Sequence, residues 1–243
     1  MALRISGAII AAGRGERLRN GAAGLPKPVV EIAGEPLLSR QARMLAAAGA
    51  DPIHAIVNRE TAAIIRERRI ELPRNLSLIV RDTPHSLASL LALGEAIAPG
   101  WFMMATVDAV MRPEEFRRFA DRAKALTETG VAPSVDGALA VVKWRRDERP
   151  LFAQVAPDGI IEALGETRAA WVTAGVYLFN TRIFSFAEAA RERGLGAMRR
   201  YLALLIESGM KFGAVAVADA IDVDQAEDLD AARAMLNGRK DAF

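Results

Sequence analysis

Two basic side chains, Arg17 and Lys27, follow two glycines, Gly13 and Gly15, in the segment AIIAAGRGERLRNGAAGLPKP that spans residues 8–28. The apolar run that opens the segment has the composition of a buried parallel strand, and it empties straight into the glycines. Glycine carries no Cβ, so backbone N–H groups there can approach an anion closely. Arg17 and the proline-flanked Lys27 add fixed positive charge. Such a loop suits the phosphates of a nucleoside triphosphate. Asp108 closes a second apolar run, WFMMATVDAVM. A carboxylate at a strand tip, beside a phosphate loop on the same sheet edge, suits Mg2+, which favours one or two carboxylates plus phosphate oxygens.

Two common phosphate loops do not fit. A Walker A loop needs Gly-Lys-Ser/Thr running into a helix, but Pro28 follows Lys27 and no hydroxyl stands ready for magnesium. A dinucleotide-binding loop needs a third glycine where Leu18 stands, and an acidic residue at the end of the next strand, where IHAIVN closes on Asn58. The absence of cysteine excludes disulfides and thiolate metal sites.

The elements that must position these residues alternate. Apolar runs at 8–11, 53–58, 76–80 and 101–106 interleave with helical patterns at 37–48, 61–69, 87–98 and 113–128, as in a mostly parallel sheet with helices on both faces. Ligands of such sheets bind beyond the carboxyl ends of the strands. After about residue 130 the rhythm changes to strands at 138–144, 151–155, 160–164 and 171–179, which reads as hairpins or a small mixed sheet. Helical patterns at 184–193 and 198–208, a strand at 213–217 and a last helix over 226–236 complete the chain. With 243 residues, about half of them hydrophobic, and no internal repeat, one large α/β domain is expected.

Charge excludes more than it suggests. The formal net charge is +2, and acidic residues are interspersed among the basic clusters at 66–69, 145–149 and 191–200. These read as solvated faces rather than a nucleic-acid groove. MALRISGAII is too short for a signal peptide and nothing reads as a membrane anchor, so a cytoplasmic protein is expected; association with a second copy stays open.

The ordered set Gly13, Gly15, Arg17 and Leu18, then Pro26, Lys27 and Pro28, then Gly34, Pro36 and Leu37 forms the pattern G-x-G-x-R-L, P-K-P, G-x-P-L. It resembles the signature of the nucleotidyltransferases that make nucleoside-diphosphate sugars and related activated alcohols. That group includes sugar-1-phosphate nucleotidyltransferases and molybdenum-cofactor guanylyltransferases. Near the C-terminus AIDVDQAEDLDAAR resembles the family's closing D-x-D-T-P-E-D-L, with Gln225 and Ala226 in place of Thr-Pro. Val107 stands where the family usually has glycine before the aspartate.

The resemblance implies a Rossmann-like α/β fold with a small mixed β subregion, residues 1–130 holding the nucleotide and 131–243 the acceptor and a second metal ligand. It implies nucleotide contacts at Ala11, Ala12, Gly13, Gly15, Arg17, Lys27 and Ser86. Arg17 and Lys27 become the catalytic cations, Arg17 on the departing pyrophosphate and Lys27 on the phosphate in transfer. Asp108 and Asp222 become the Mg2+ ligands, leaving Asp224 to cap the last helix; Asp224 or Gln225 fits that cap, and the choice between Asp222 and Asp224 as second ligand stays open. Gly175, Glu162 and Lys143 are the acceptor-side candidates, and Ser86 and Ser89 the candidates for reading the base. The same stretch also reads as a plain helix start with Thr83 or Ser86 as cap and His85 as a turn residue. The implied reaction transfers a nucleoside monophosphate from a nucleoside triphosphate to a phosphorylated small molecule, a sugar 1-phosphate first among the acceptors. Transfer from CTP to inositol phosphate or phosphocholine, and a catalytically idle nucleotide- or sugar-binding regulatory domain, are the alternatives.

Overall fold

The computed structural model describes residues 4–19, 24–128, 134–144 and 150–238. Its first half runs β1 (Ile5–Ala11), α1 (Glu16–Arg19), a 3-10 turn at Lys27–Val29, β2 (Glu31–Ile32), β3 (Glu35–Pro36), α2 (Leu37–Ala47), β4 (Ala50–Val57), α3 (Arg59–Glu67), β5 (Leu76–Val80), α4 (Ser86–Gly94), β6 (Trp101–Thr106), β7 (Ala109–Val110) and α5 (Pro113–Ala125). Its second half runs β8 (Gly137–Lys143), β9 (Phe152–Val155), β10 (Ile161–Gly165), β11 (Trp171–Asn180), a 3-10 turn at Thr181–Phe186, α6 (Ala187–Glu192), α7 (Met198–Glu207), β12 (Phe212–Ala216), β13 (Ile221–Asp222) and α8 (Ala226–Leu236).

Among the described residues nine strands form one sheet, in the order β10-β9-β11-β6-β1-β4-β5, with β8 beside β11 and β12 beside β8. β1 lies between β4 and β6, parallel to both. β11 is antiparallel to both β6 and β8, so β8 runs in the direction of β1 and β6, and their carboxyl ends share one edge.

Period-two alternation assigns each strand residue to one of two faces. On one face Ile9, Met103, Ala105, Val176 and Leu178 pack with residues of α2, α3, α5 and α8, among them Leu37, Ile65, Phe116, Phe119 and Leu229. On the other, Ala8, Ile10, Phe102, Met104, Tyr177 and Phe179 pack with α4, α6 and α7 through Leu90, Leu93, Ala190, Leu202 and Leu205. The expected two-faced α/β architecture is therefore present. Full burial of a side chain such as Phe116 or Phe119 contributes about 2–3 kcal/mol.

Element ends differ from expectation where side chains intervene. The helix expected over 184–193 is split, because the Asn180 side chain accepts from Arg182 N–H at 3.0 Å and starts a 3-10 turn before α6. Arg191 and Arg193 pair with Glu188 and Glu207 at 2.8 and 2.9 Å on the surface, as a solvated face requires. The basic cluster 145–149 lies outside the described residues. No helix among the described residues is long and apolar enough to cross a membrane.

Candidate active site

β1 ends at Ala11, and the chain then leaves the sheet through buried Ala12, exposed Gly13 and half-buried Gly15. Gly15 takes φ +60, and a Cβ there would lie 3.3 Å from Lys27 Cβ, so both its conformation and its neighbour select glycine. The space over Gly13 is open. Leu18, fully buried in the core, anchors the short α1 that carries Arg17. Asn58 ties this loop down from β4: its Nδ2 donates to Ala12 O at 3.2 Å while its Oδ1 caps α3 by accepting from Thr61 N–H at 2.7 Å.

Lys27 opens a tight turn, with Val29 N–H donating to Pro26 O and Val30 N–H to Lys27 O at 3.0 and 3.1 Å. The flanking prolines limit the conformations of that turn. The Lys27 side chain is only 9% exposed, and its Nζ donates to Asp108 Oδ2 at 2.8 Å and to Asp224 Oδ1 at 2.6 Å. Arg17 Nη2 donates to the other Asp224 oxygen at 2.6 Å.

Asp108 sits between β6 and β7. Val107 N–H donates to Ile10 O at 3.1 Å and so extends the ladder between β6 and β1, while its side chain joins the core. That is how a valine is accepted immediately before Asp108. β13 then pairs antiparallel with β7, setting Asp222 opposite Ala109, and Val223 N–H donates to Asp108 O at 3.1 Å. Val223 is fully buried, so Asp222 and Asp224, two apart in an extended segment, face the opposite way together. One carboxylate oxygen from each of Asp108, Asp222 and Asp224 lies within 4.8 Å of the others.

Electrostatics bind the cluster. Burial alone would lower the Lys27 pKa, but the charge and hydrogen bond of Asp108, then those of Asp224, outweigh it and hold the ammonium above the ordinary lysine range. Partial burial alone would raise the Asp224 pKa; Lys27 and then Arg17 outweigh it and hold that carboxyl below its ordinary value. Three monodentate carboxylates are hard oxygen donors of the kind Mg2+ takes, and the Lys27 ammonium already stands between two of them as a stand-in cation. The donor set therefore fits a divalent cation.

The structure brings Ala11, Ala12, Gly13, Gly15, Arg17, Lys27, Asp108 and Asp222 to one edge of the sheet. It corrects the assignment of Asp224 as a helix cap. Gln225 occupies the N-cap position of α8, and the Asp228 carboxylate accepts from Gln225 N–H and Asp224 N–H at 2.7 and 2.9 Å, which leaves the Asp224 side chain to Lys27 and Arg17. The Ser86 hydroxyl accepts from Met198 N–H at 2.9 Å, tying α4 to α7, and the cap of α4 is His85 rather than Thr83 or Ser86, its Nδ1 accepting from Ala88 N–H at 3.1 Å. Thr83 and the buried Ser89 share a hydroxyl–hydroxyl bond of 2.7 Å, which gives Ser89 an internal partner.

At Gly175, an acceptor-side candidate, the protein itself comes close. At φ +71, a Cβ there would lie 2.6 Å from Ala109 Cβ and 2.7 Å from Thr106 Oγ1, so this glycine makes room for the loop that carries Asp108. Lys143 is exposed at the carboxyl end of β8, on the same edge as Asp108, opposite Trp171. Glu162 is exposed on β10, at the outer end of the sheet order and three strands from β6.

Buried polar groups complete the support. On α2, Gln41 Nε2 donates to Thr106 O at 3.1 Å and to Ala109 O at 2.5 Å, and Arg40 Nη2 donates to Met111 O at 2.8 Å. Sequence reading passed over both. The available signal was a polar residue, Gln41, four positions after Leu37 on the apolar stripe of an amphipathic helix.

The profile of the MobA-like NTP transferase domain matches residues 7–174. The chain is 28% identical over 194 residues to a mannose-1-phosphate guanyltransferase of Candida albicans, covering 76% of this chain and 52% of that protein, so it spans about half the length of that curated relative. Among solved structures, the inositol-1-phosphate CTP transferase from T. maritima superposes with a TM-score of 0.74 at 16% identity, covering 98% of this chain and 96% of the other. The CTP:phosphocholine cytidylyltransferase from Streptococcus pneumoniae gives a TM-score of 0.74 at 17% identity, covering 96% and 100%. At these identities the two structures show a shared fold.

Proposed function

Since the chain belongs to the family of MobA-like NTP transferase domains, we propose that it transfers a nucleoside monophosphate from a nucleoside triphosphate to a phosphorylated small-molecule acceptor, a sugar 1-phosphate first among them, and releases pyrophosphate. The observation that carries the reading is the Lys27 ammonium held between Asp108 and Asp224, beyond the carboxyl ends of parallel strands and beside an open glycine loop. The similarity to a mannose-1-phosphate guanyltransferase supports a sugar phosphate as acceptor.

An acceptor phosphate oxygen forms a bond to the α-phosphorus as the bond to the β-phosphate oxygen breaks, and pyrophosphate leaves with that electron pair. Both reactants are polyanions, so this chain's residues act by alignment and charge neutralisation. The backbone of Ala11 to Gly15 receives the phosphates. Lys27 and Arg17 exchange their carboxylate partners for phosphate oxygens, Lys27 on the phosphate in transfer and Arg17 on the departing pyrophosphate. Asp108 and Asp222, joined by Asp224 once its two cations turn to phosphate, would hold Mg2+, which supplies charge stabilisation on the phosphate oxygens. Residues 1–130 contribute the nucleotide loop and Asp108, and 131–243 the acceptor side and the returning Asp222 and Asp224. On that side Lys143 stands next in the chain to Trp144, whose ring carries the Arg168 guanidinium at 4.3 Å, and this pairing of cations with an indole suits a phosphorylated, hydroxyl-bearing acceptor.

The test is pyrophosphate release with Mg2+ across UTP, GTP, CTP and dTTP against sugar 1-phosphates, inositol phosphate and phosphocholine. One productive pair is expected. Silence across the panel, with nucleotide still bound, would overturn the transferase reading in favour of a nucleotide-binding domain without turnover.

A further inference from the structure

Gln41 is 2% exposed on α2, among the buried apolar residues Leu37, Leu38, Ala42, Met44 and Leu45 of the same helix. A buried primary amide is costly unless its donors are satisfied. Its Nε2 makes two bonds, to the carbonyls of Thr106 and Ala109. These carbonyls bracket Asp108, one two residues before it and the other one residue after it. The loop between β6 and β7 is thus gripped from inside the core on both sides of its carboxylate. The same helix is coupled to Lys27, because its first residue, Leu37, donates its N–H to Val30 O at 2.9 Å, immediately beyond the Lys27–Val29 turn. α2 therefore spans from the ammonium's turn to the carboxylate's loop. We propose that Gln41 is a positioning residue: by fixing Asp108 relative to Lys27 and Asp222 it sets the affinity of the carboxylate cluster for a divalent cation.

The inference rests on the reading of that cluster as a cation site, so it is tested on cation binding and not on turnover alone. Mn2+ binding is followed by electron paramagnetic resonance on the full chain without nucleotide, alongside thermal melts and the Mg2+ dependence of pyrophosphate release. Gln41→Met keeps the length and apolar packing of the side chain and removes both donors. It is expected to weaken Mn2+ binding by about tenfold, the lower end of what loss of a group supporting a metal ligand typically does. The Mg2+ needed for half-maximal release should rise in parallel. Ser39→Ala is the control: this side chain is equally buried on α2 but donates to Glu71 O at 3.2 Å, outside the Asp108 loop, and its loss should leave Mn2+ affinity unchanged. If Gln41→Met does not fold, Gln41→Asn, one methylene too short to reach both carbonyls, makes the same comparison. Mn2+ affinity within twofold of the original protein, an equal loss in Ser39→Ala, or no Mn2+ uptake by the unaltered protein would each overturn the inference. Absence of pyrophosphate release with Mn2+ binding weakened as expected would instead count against the transferase reading alone.

Discussion

Replacing Lys27 with methionine removes one positive charge from a site where three carboxylates converge, and the consequence differs from that of losing an ordinary surface lysine. The Lys27 side chain is 9% exposed, while Asp108 and Asp224 are 22% and 31% exposed. Removing one partner of a buried ion pair costs about 3–5 kcal/mol; carboxylates that keep this much water place the loss nearer about 2–3 kcal/mol. The remaining carboxylate oxygens lie within 4.8 Å of one another, where two full charges repel by about 3.5 kcal/mol or more at an effective dielectric constant of about 20. In the unaltered protein the Asp224 pKa is depressed, so its contribution is present above the unfolded carboxylate value and is lost as pH falls through the folded one. The Lys27 pKa is raised, so its contribution is complete below the unfolded lysine value and is lost only as pH rises through the higher folded one. Stability should therefore be flat from about pH 5 to 10 as far as this pair is concerned, and should fall on the acid side. In Lys27→Met the carboxylates repel, proton uptake relieves them, and the acid limb should reverse, with the deficit smaller at pH 5 than at pH 7.5. Added Mg2+ should raise the melting temperature of the variant more than that of the unaltered protein. Circular-dichroism melts at the two pH values, with and without MgCl2, check this. An equal deficit at both pH values together with an equal Mg2+ response would refute the role of Lys27 as the cluster's counter-cation.

Asp108→Asn should abolish pyrophosphate release while near-normal melting is retained, since Lys27 keeps Asp224; retained turnover would remove Asp108 from the chemistry. Asp224→Ala should lose both turnover and stability, whereas Asp228→Ala should lose about 1 kcal/mol of capping with turnover intact, and reversed phenotypes would restore Asp224 to the cap. Gly175→Ala places a Cβ 2.6 Å from Ala109 Cβ at φ +71, so it should destabilise by about 1–3 kcal/mol and impair turnover through the Asp108 loop. A melting temperature within a degree of the original would show that the loop yields at no cost.

The architecture was legible because the strands of the large sheet and most helices announce themselves locally, whereas the two-residue strands β2, β3, β7 and β13 do not. The apolar runs that became β1, β4, β5 and β6 are short and end in turn residues, and the stripes of α2 and α8 fall at helical spacing. The turns at Gly15 and Lys27 were legible for the same reason, since glycine permits a positive φ and Pro26 and Pro28 restrict the backbone around Lys27. The cap of α4 was not, because His85 serves through a ring nitrogen, a role that preference tables give to Ser, Thr, Asp and Asn.

What stayed illegible is set by partners far apart in sequence. Asp224 pairs with Lys27 across 197 positions and with Arg17 across 207, and no local pattern announces either contact. Viewed locally, an aspartate two residues before a helix reads as a cap. The decisive signal was nevertheless present in the spacing Asp222-Val223-Asp224, because a buried valine in an extended segment forces its two neighbours onto the same opposite face. Once β13 pairs with β7, that face can only meet Asp108, so a choice between Asp222 and Asp224 as partner of Asp108 was never required. Gln41 carries the same lesson from the core side. A polar residue on an apolar stripe must find its partners elsewhere in the fold, and here it finds them in the two carbonyls that hold Asp108 in place.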